Sequence, residues 1–399
     1  MPGLSLHFTE GAVASASEGE GMSKLIPIVL FSLICAALAH RNSDYDPIQG
    51  VYLSKERFFY TAMSIGLILF AGLRTAYNDT GTYRQSYEVF ISADVELTSG
   101  IEWLQIGENP AFTLVQRLMK RWGFSTQSFI MVFSVFTVGT HLWFFRKYSC
   151  NLFLTIFLFI MYDAYFFHLA AIKQCTAMAF CLLATDRAIN KKYLPFVLFI
   201  LIACLFHPYA LMYLVVPFLF FRPWSKYTFM MLGFFAILGV GLQNMLGSIL
   251  DVTDMLGESY NANSFNGEGI NPFRLLVSSV PLWLSLITMK QIANTEERDQ
   301  YVIMNLSMLN TEIMFVALFG TGNYFGRLAN YFIPFQSLAI PWLVKHFDID
   351  GRRTVTLGIV IFYLLYFIYA MAISSNFNSY YWSVSLWDYL KTLLAGAFV

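Results

Sequence analysis

Of the 399 residues, 57% are hydrophobic and only 13% are charged, and the formal net charge is zero. A soluble domain carries about 25% charged residues, so a water-facing globular surface is excluded and the chain reads as an all-α, polytopic integral membrane protein. Zero net charge removes any bulk electrostatic case for nucleic-acid binding.

Residues 1–21 are polar, small and mildly acidic, and read as a disordered tail, with Met22 as the natural-looking start. Met22-Ser23-Lys24 and the apolar run ending Ala37-Leu38-Ala39 resemble a signal peptide. Apolar segments continue down the whole chain, which favours a first membrane helix instead. Further apolar runs fall at 57–73, 126–145, 151–168, 170–187, 193–206, 209–221, 227–246, 273–290, 301–319, 328–344 and 354–373. A spanning helix needs about 20 residues, so the expectation is one membrane domain over 22–373 with about 11–12 transmembrane helices. The pair 193–206 and 209–221 reads as a short hairpin broken at His207-Pro208, or as one kinked helix.

Charge decides between these two. With a hairpin and an outer N-terminus, Arg41, Lys55, Arg57, Arg146, Lys147, Arg187, Lys191, Lys192, Arg222, Lys226, Lys290, Arg298, Lys345, Arg352 and Arg353 all fall in cytoplasmic loops. The outer face receives the loops 74–125 and 247–272 and the C-terminal tail 374–399. Within 74–125, residues 111–122 carry Phe112, Leu114, Val115, Leu118 and Met119 at the spacing of an amphipathic helix lying on the membrane. Extramembrane segments this long are usually functional. No internal repeat of the transporter kind is visible.

This topology puts Arg74, Lys173, Arg274 and Arg327 at one outer face. Four cations at one membrane depth are costly unless something anionic binds there, and a lipid-linked pyrophosphate fits. Each residue also has a plainer reading. Arg74, closing Leu69–Leu73, is also what a snorkelling arginine looks like. Asp79 in Asn78-Asp79-Thr80-Gly81 suits an Asx-turn. Lys173 is within reach of an ion pair with Asp163, and Glu312 of one with Arg327. His207, where Pro208 breaks the helix, is either a packing histidine or a base.

No P-loop, H-E-x-x-H or G-x-S-x-G is present. Cys35, Cys150, Cys175, Cys181 and Cys204 form no C-x-x-C pair and cluster with no histidines, so neither disulfides nor a thiolate metal site is expected. Without a nucleotide-binding domain, an outer-face reaction needs an already activated substrate.

The residues Arg74, Asn78-Asp79, Tyr83, Glu108-Asn109-Pro110, Trp122-Gly123-Phe124-Ser125, Lys173-Gln174, Phe206-His207, and Arg327 with Tyr331 follow an order that resembles the EpsG-type exopolysaccharide polymerases, related to the Wzy polymerases of O-antigen synthesis. The resemblance covers about residues 57–345. Lys173 stands where the family has arginine and lacks its bidentate fork. The resemblance implies a GT-C-like fold and a metal-independent, inverting glycosyltransferase of the bacterial inner membrane that uses no cofactor. It would move a glycan from undecaprenyl-pyrophosphate onto a lipid-linked repeat unit, with membrane lipid and a chain-length regulator as partners. Arg74, Lys173, Arg274 and Arg327 would hold the pyrophosphate, with Gln174 and Tyr331 beside them. Asp79 or Glu108 would serve as base, His207 being a second candidate. Tyr77, Tyr83 and Trp103 would stack on sugars. A lipid-linked oligosaccharide flippase and a membrane acyltransferase using His207 remain alternatives.

Overall fold

Long apolar stretches with few charges leave the backbone no partner but itself, and helices are the outcome. A computed structural model describes residues 20–41, 45–46, 51–52, 54–90, 109–255, 270–319, 322–374 and 377–396. Helix α1 (Glu20–Arg41) precedes a short antiparallel pair, β1 (Tyr45–Asp46) and β2 (Val51–Tyr52). Then come α2 (Ser54–Gly72), β3 (Arg74–Ala76) and α3 (Thr80–Gln85), which runs on into a π turn to Phe90. Helices α4 (Pro110–Arg121), α5 (Thr126–Tyr148), α6 (Leu152–Met161), α7 (Ala164–Ala170), α8 (Ile172–Ile189) and α9 (Tyr193–Phe206) follow. A 3-10 segment spans Pro208–Phe218, and α10 spans Lys226–Met255. The remainder comprises α11 (Pro272–Ser278), α12 (Val280–Ile287), α13 (Met289–Ile292), α14 (Arg298–Val316), α15 (Gly322–Asn330), α16 (Ile333–Val344), α17 (Ile349–Ile368), α18 (Phe377–Tyr380), β4 (Trp382–Ser383) and α19 (Leu386–Gly396).

Several of the expected 11–12 spans are broken or short helices rather than single continuous ones. Among the described residues three are long and apolar enough to cross a membrane, Ser23–Arg41, Thr126–Tyr148 and Ile349–Ser374. A fourth is possible if α6 and α7, bent by 49°, form one broken span. The reasons are local. Lys55, Glu56 and Arg57 open α2, and Lys173, Asp186 and Arg187 punctuate α8, so neither is uniformly apolar. Asp163 between α6 and α7 adopts φ 67°, which interrupts the helix. The run expected as one span at 273–290 is divided at Ser279 and Thr288 into α11, α12 and α13.

Two polar ends organise the bundle. At one, Arg146 closes α5 with a bidentate pair to Glu56 at the start of α2, Nη2 to Oε2 at 2.6 Å and Nε to Oε1 at 3.1 Å. Lys147 pairs with Asp186 near the close of α8, and Tyr148 Oη donates to the same carboxylate at 2.8 Å. Lys345, after α16, pairs with Glu297 at 2.7 Å. The opposite end holds Arg74, Lys173, Arg274 and Arg327. There Gln174 Nε2 donates to the Arg327 carbonyl at 2.6 Å, and Arg274 Nη2 donates to Asn330 Oδ1 at 3.1 Å.

This frame explains His207-Pro208. Helix α9 leaves the first end after Lys192, and His207 stands at the second. The 3-10 segment then returns, because Asn305 Nδ2 of α14 donates to the carbonyls of Leu219 and Phe221 at 2.8 Å each. The pair is therefore a hairpin, broken where proline removes a backbone donor. Residues 377–384 also fold back on the second end. Strand β4 pairs antiparallel with β3, and Tyr381 Oη donates to the Phe70 carbonyl at 3.0 Å while its ring stacks on Phe70 at 4.8 Å.

Candidate active site

The site begins at the turn after β3. Asn78 takes φ 44°, a left-handed conformation that asparagine tolerates better than most residues. The turn closes with Thr80 N donating to the Tyr77 carbonyl at 3.0 Å, and α3 starts with Tyr83 N donating to the Asp79 carbonyl at 3.0 Å. Asp79 is left exposed at the surface of the turn.

Arg74 lies beneath this turn, only 1% exposed. Its Nε donates to Thr80 Oγ1 at 3.0 Å, and its Nη1 donates to Ser134 Oγ at 3.0 Å and to the Ala71 carbonyl. Thr80 Oγ1 in turn donates to the Leu169 carbonyl at 2.9 Å. Burial lowers the guanidinium to about 10, which still leaves it charged at neutral pH. Arg74 therefore clamps the Asp79 turn to α5 and α7. It does not line the cavity, contrary to expectation, because its Nε and Nη1 are turned inward onto Thr80, Ser134 and the Ala71 carbonyl.

Six of the residues singled out from sequence surround one polar cavity of about 430 Å³: Asp79, Tyr83, Lys173, Gln174, His207 and Arg327. Lys173, at the first turn of α8, places its ammonium 5.4 Å from the centre of the Phe112 ring. Gln174, one residue on, ties α8 to the backbone of Arg327. Arg327 is exposed on α15. Tyr83 packs edge-on to Phe112 at 5.7 Å. Burial first, and then the Asp79 carboxylate, raise its phenol above the ordinary range, so it stays a protonated donor at neutral pH. His207 Nδ1 lies 2.8 Å from Tyr331 Oη, and Tyr213 Oη fixes the Tyr331 carbonyl at 2.6 Å.

Three other expected residues are placed differently. Tyr331 is fully buried behind His207. Tyr77 is 4% exposed and packs 5.1 Å from Phe377, so it has no free face for a sugar. Arg274 is engaged with Asn330. Glu108 lies outside the described residues, as does Trp103. The two ion pairs expected from sequence are not formed: Lys173 sits over Phe112, not on Asp163, and both Glu312 carboxyl oxygens lack a hydrogen-bond partner.

Asn78, Asn109 and Phe167 also line the cavity. Asn109 has φ 57° and is 8% exposed. The signal for both asparagines was present in Asn78-Asp79-Thr80-Gly81 and Asn109-Pro110, which are turn sequences. Non-glycine residues held left-handed concentrate at functional sites. Two larger cavities, about 550 and 560 Å³, are lined almost wholly by apolar side chains. Chemically, the polar cavity offers two cations, one carboxylate, one imidazole and neutral amide donors at one end of the bundle. Among the described residues no three His, Cys, Asp or Glu side chains converge as metal ligands would.

A model of the EpsG family matches residues 57–385. No curated protein and no solved structure matches the chain.

Proposed function

The chain belongs to the EpsG family, a family of polysaccharide polymerases, and on that premise we propose that it elongates a glycan by transferring it from undecaprenyl-pyrophosphate to a lipid-linked repeat unit. The carrying observation is the polar cavity that gathers Lys173 and Arg327 beside Asp79 and His207. In this reading the acceptor hydroxyl attacks the anomeric carbon of the lipid-linked glycan with inversion. The bond from that carbon to the pyrophosphate oxygen breaks, and the lipid pyrophosphate leaves as an anion. Lys173 and Arg327 stabilise the charge that develops on it, the kind of preorganised electrostatic help that accounts for much of enzymatic rate enhancement. Asp79 takes the acceptor proton, as a carboxylate within hydrogen-bond reach does, and His207 is the second candidate. No metal is required in this scheme, since side chains supply the positive charge.

The end that carries this cavity is the outer face of the bacterial inner membrane, and the end with Arg146, Lys147, Arg222 and Lys345 is cytoplasmic, following the preference of basic loops. A flippase needs a polar route joining both ends. The cavity described here belongs to one end, which favours the polymerase. A deletion strain separates the two: lipid-linked single repeats displayed on the outer face support polymerase, and repeats retained in the inner leaflet overturn it.

A further inference from the structure

Glu312 lies about one turn before the end of α14 and is 4% exposed. Neither of its oxygens has a hydrogen-bond partner among the described residues. Its neighbours spend their polar groups elsewhere: Thr311 Oγ1 donates to the Ser278 carbonyl and Asn310 Nδ2 to the Ala329 carbonyl, both at 2.6 Å. Glu312 borders a cavity of about 550 Å³ between α10, α11, α12 and α14, walled by Phe235, Leu275, Leu282, Trp283 and Phe315. This cavity shares no lining residue with the one around Lys173 and Arg327. At its edge Leu276 and Trp283 are 51% and 56% exposed, so it opens on an apolar flank of the bundle.

A buried carboxyl without a partner is costly, and such a group persists where something completes it. Hydrocarbon alone cannot. Water is a poor candidate, because a buried water wants two to four polar partners. The other polar groups here are spent: Ser279 Oγ donates to the Leu276 carbonyl at 2.7 Å and accepts from Trp283 Nε1 at 3.1 Å. An uncharged carboxylic acid offers one donor and one acceptor site, which a hydroxyl matches with its own acceptor and donor. An ammonium would have to carry its charge through an apolar opening. Cavities of this size and lining hold small amphiphiles.

We propose that this cavity binds a neutral long-chain alcohol, its hydroxyl on Glu312 and its hydrocarbon along the apolar walls. This is a second ligand site and does not depend on the polymerase reading.

The protein in phosphatidylcholine nanodiscs is titrated with brominated dodecanol, brominated dodecane and brominated dodecylamine. Quenching of Trp283 is read as the difference between wild type and Trp283→Phe. The alcohol should quench at about tenfold lower concentration than the alkane, the worth of one good hydrogen bond. Glu312→Leu should erase that gap and Glu312→Gln should keep part of it. Equal quenching of Trp283 by alcohol and alkane overturns the proposal without either Glu312 variant having to fold. So does stronger quenching by the amine, or a gap that survives Glu312→Leu.

Discussion

Tyr331 Oη and His207 Nδ1 lie 2.8 Å apart, with the phenol fully buried and the imidazole at the wall of the polar cavity. The contact leaves Nε2 as the nitrogen available for chemistry and links its role to a side chain that no substrate touches. If Nδ1–H donates to the phenol, Nε2 carries a lone pair; if the phenol donates, Nε2–H is a donor. Tyr331→Phe removes this control while keeping the ring. We expect kcat to fall about tenfold, with KM little changed and the pH–rate profile displaced. An unchanged profile and rate would show that His207 only packs.

The two cations at the cavity should matter to catalysis more than to folding, because Arg327 is exposed and Lys173 rests on a single ring. Lys173→Ala and Arg327→Ala should each lower polymer formation by about 10²–10³, the usual cost of losing one preorganised electrostatic donor. Protein abundance should stay near that of the wild type. Lys173→Arg should remain active, since the charge is kept. Wild-type polymer from both alanine variants would remove them from the mechanism.

Arg74 should behave in the opposite way. Replacing it with alanine leaves Thr80 and Ser134 without their buried partner, at a cost of about 3 kcal/mol. Arg74→Ala should therefore show up first as lower abundance and a lower unfolding temperature, with lost polymer as a consequence. Arg74→Lys should be partly destabilised, because the planar fork that reaches three acceptors is gone. Normal stability with abolished polymer would return Arg74 to the reaction itself.

Asp79→Asn keeps the shape of the side chain and removes its capacity to take a proton. Lipid-linked substrate should still bind to the purified variant while no polymer forms. Should Asp79→Asn polymerise normally, His207 becomes the leading base, and His207→Gln should then be inactive.

Orientation can be read by labelling. Gly81 is exposed beside Asp79, with open space around the position of a Cβ, and Arg353 is exposed near the other end, at the start of α17. In intact cells Gly81→Cys should react with an impermeant maleimide and Arg353→Cys should not. The reverse pattern would invert the topology and place the polar cavity in the cytoplasm.

Much of the architecture was legible in the chain because it depends on one-dimensional quantities. Composition alone required a helical membrane protein, and the placement of Lys and Arg separated the two ends without any contact being known. His207-Pro208 announced a break, since proline cannot donate to a helix. The continuity of the helices was not legible, because a left-handed Asp163 and the turns around Ser279 and Thr288 divide runs that look continuous by hydropathy.

At the site, residue type and order brought Asp79, Tyr83, Lys173, Gln174, His207 and Arg327 under suspicion, but could not say which way each side chain points. Arg74 and Arg327 look alike in sequence, each a cation at the edge of an apolar run. Only tertiary packing sets them apart: Ser134 and Thr80 supply Arg74 with acceptors in the interior, whereas Arg327 is exposed at the wall of the polar cavity and is tied to α8 through its backbone carbonyl. Glu312 and Arg327 could be paired on paper, yet they border different cavities. Charge and hydropathy are sums over the chain and survive any fold, while a side chain's partner is fixed by neighbours more than a hundred residues away, as Gln174 and Arg327 are.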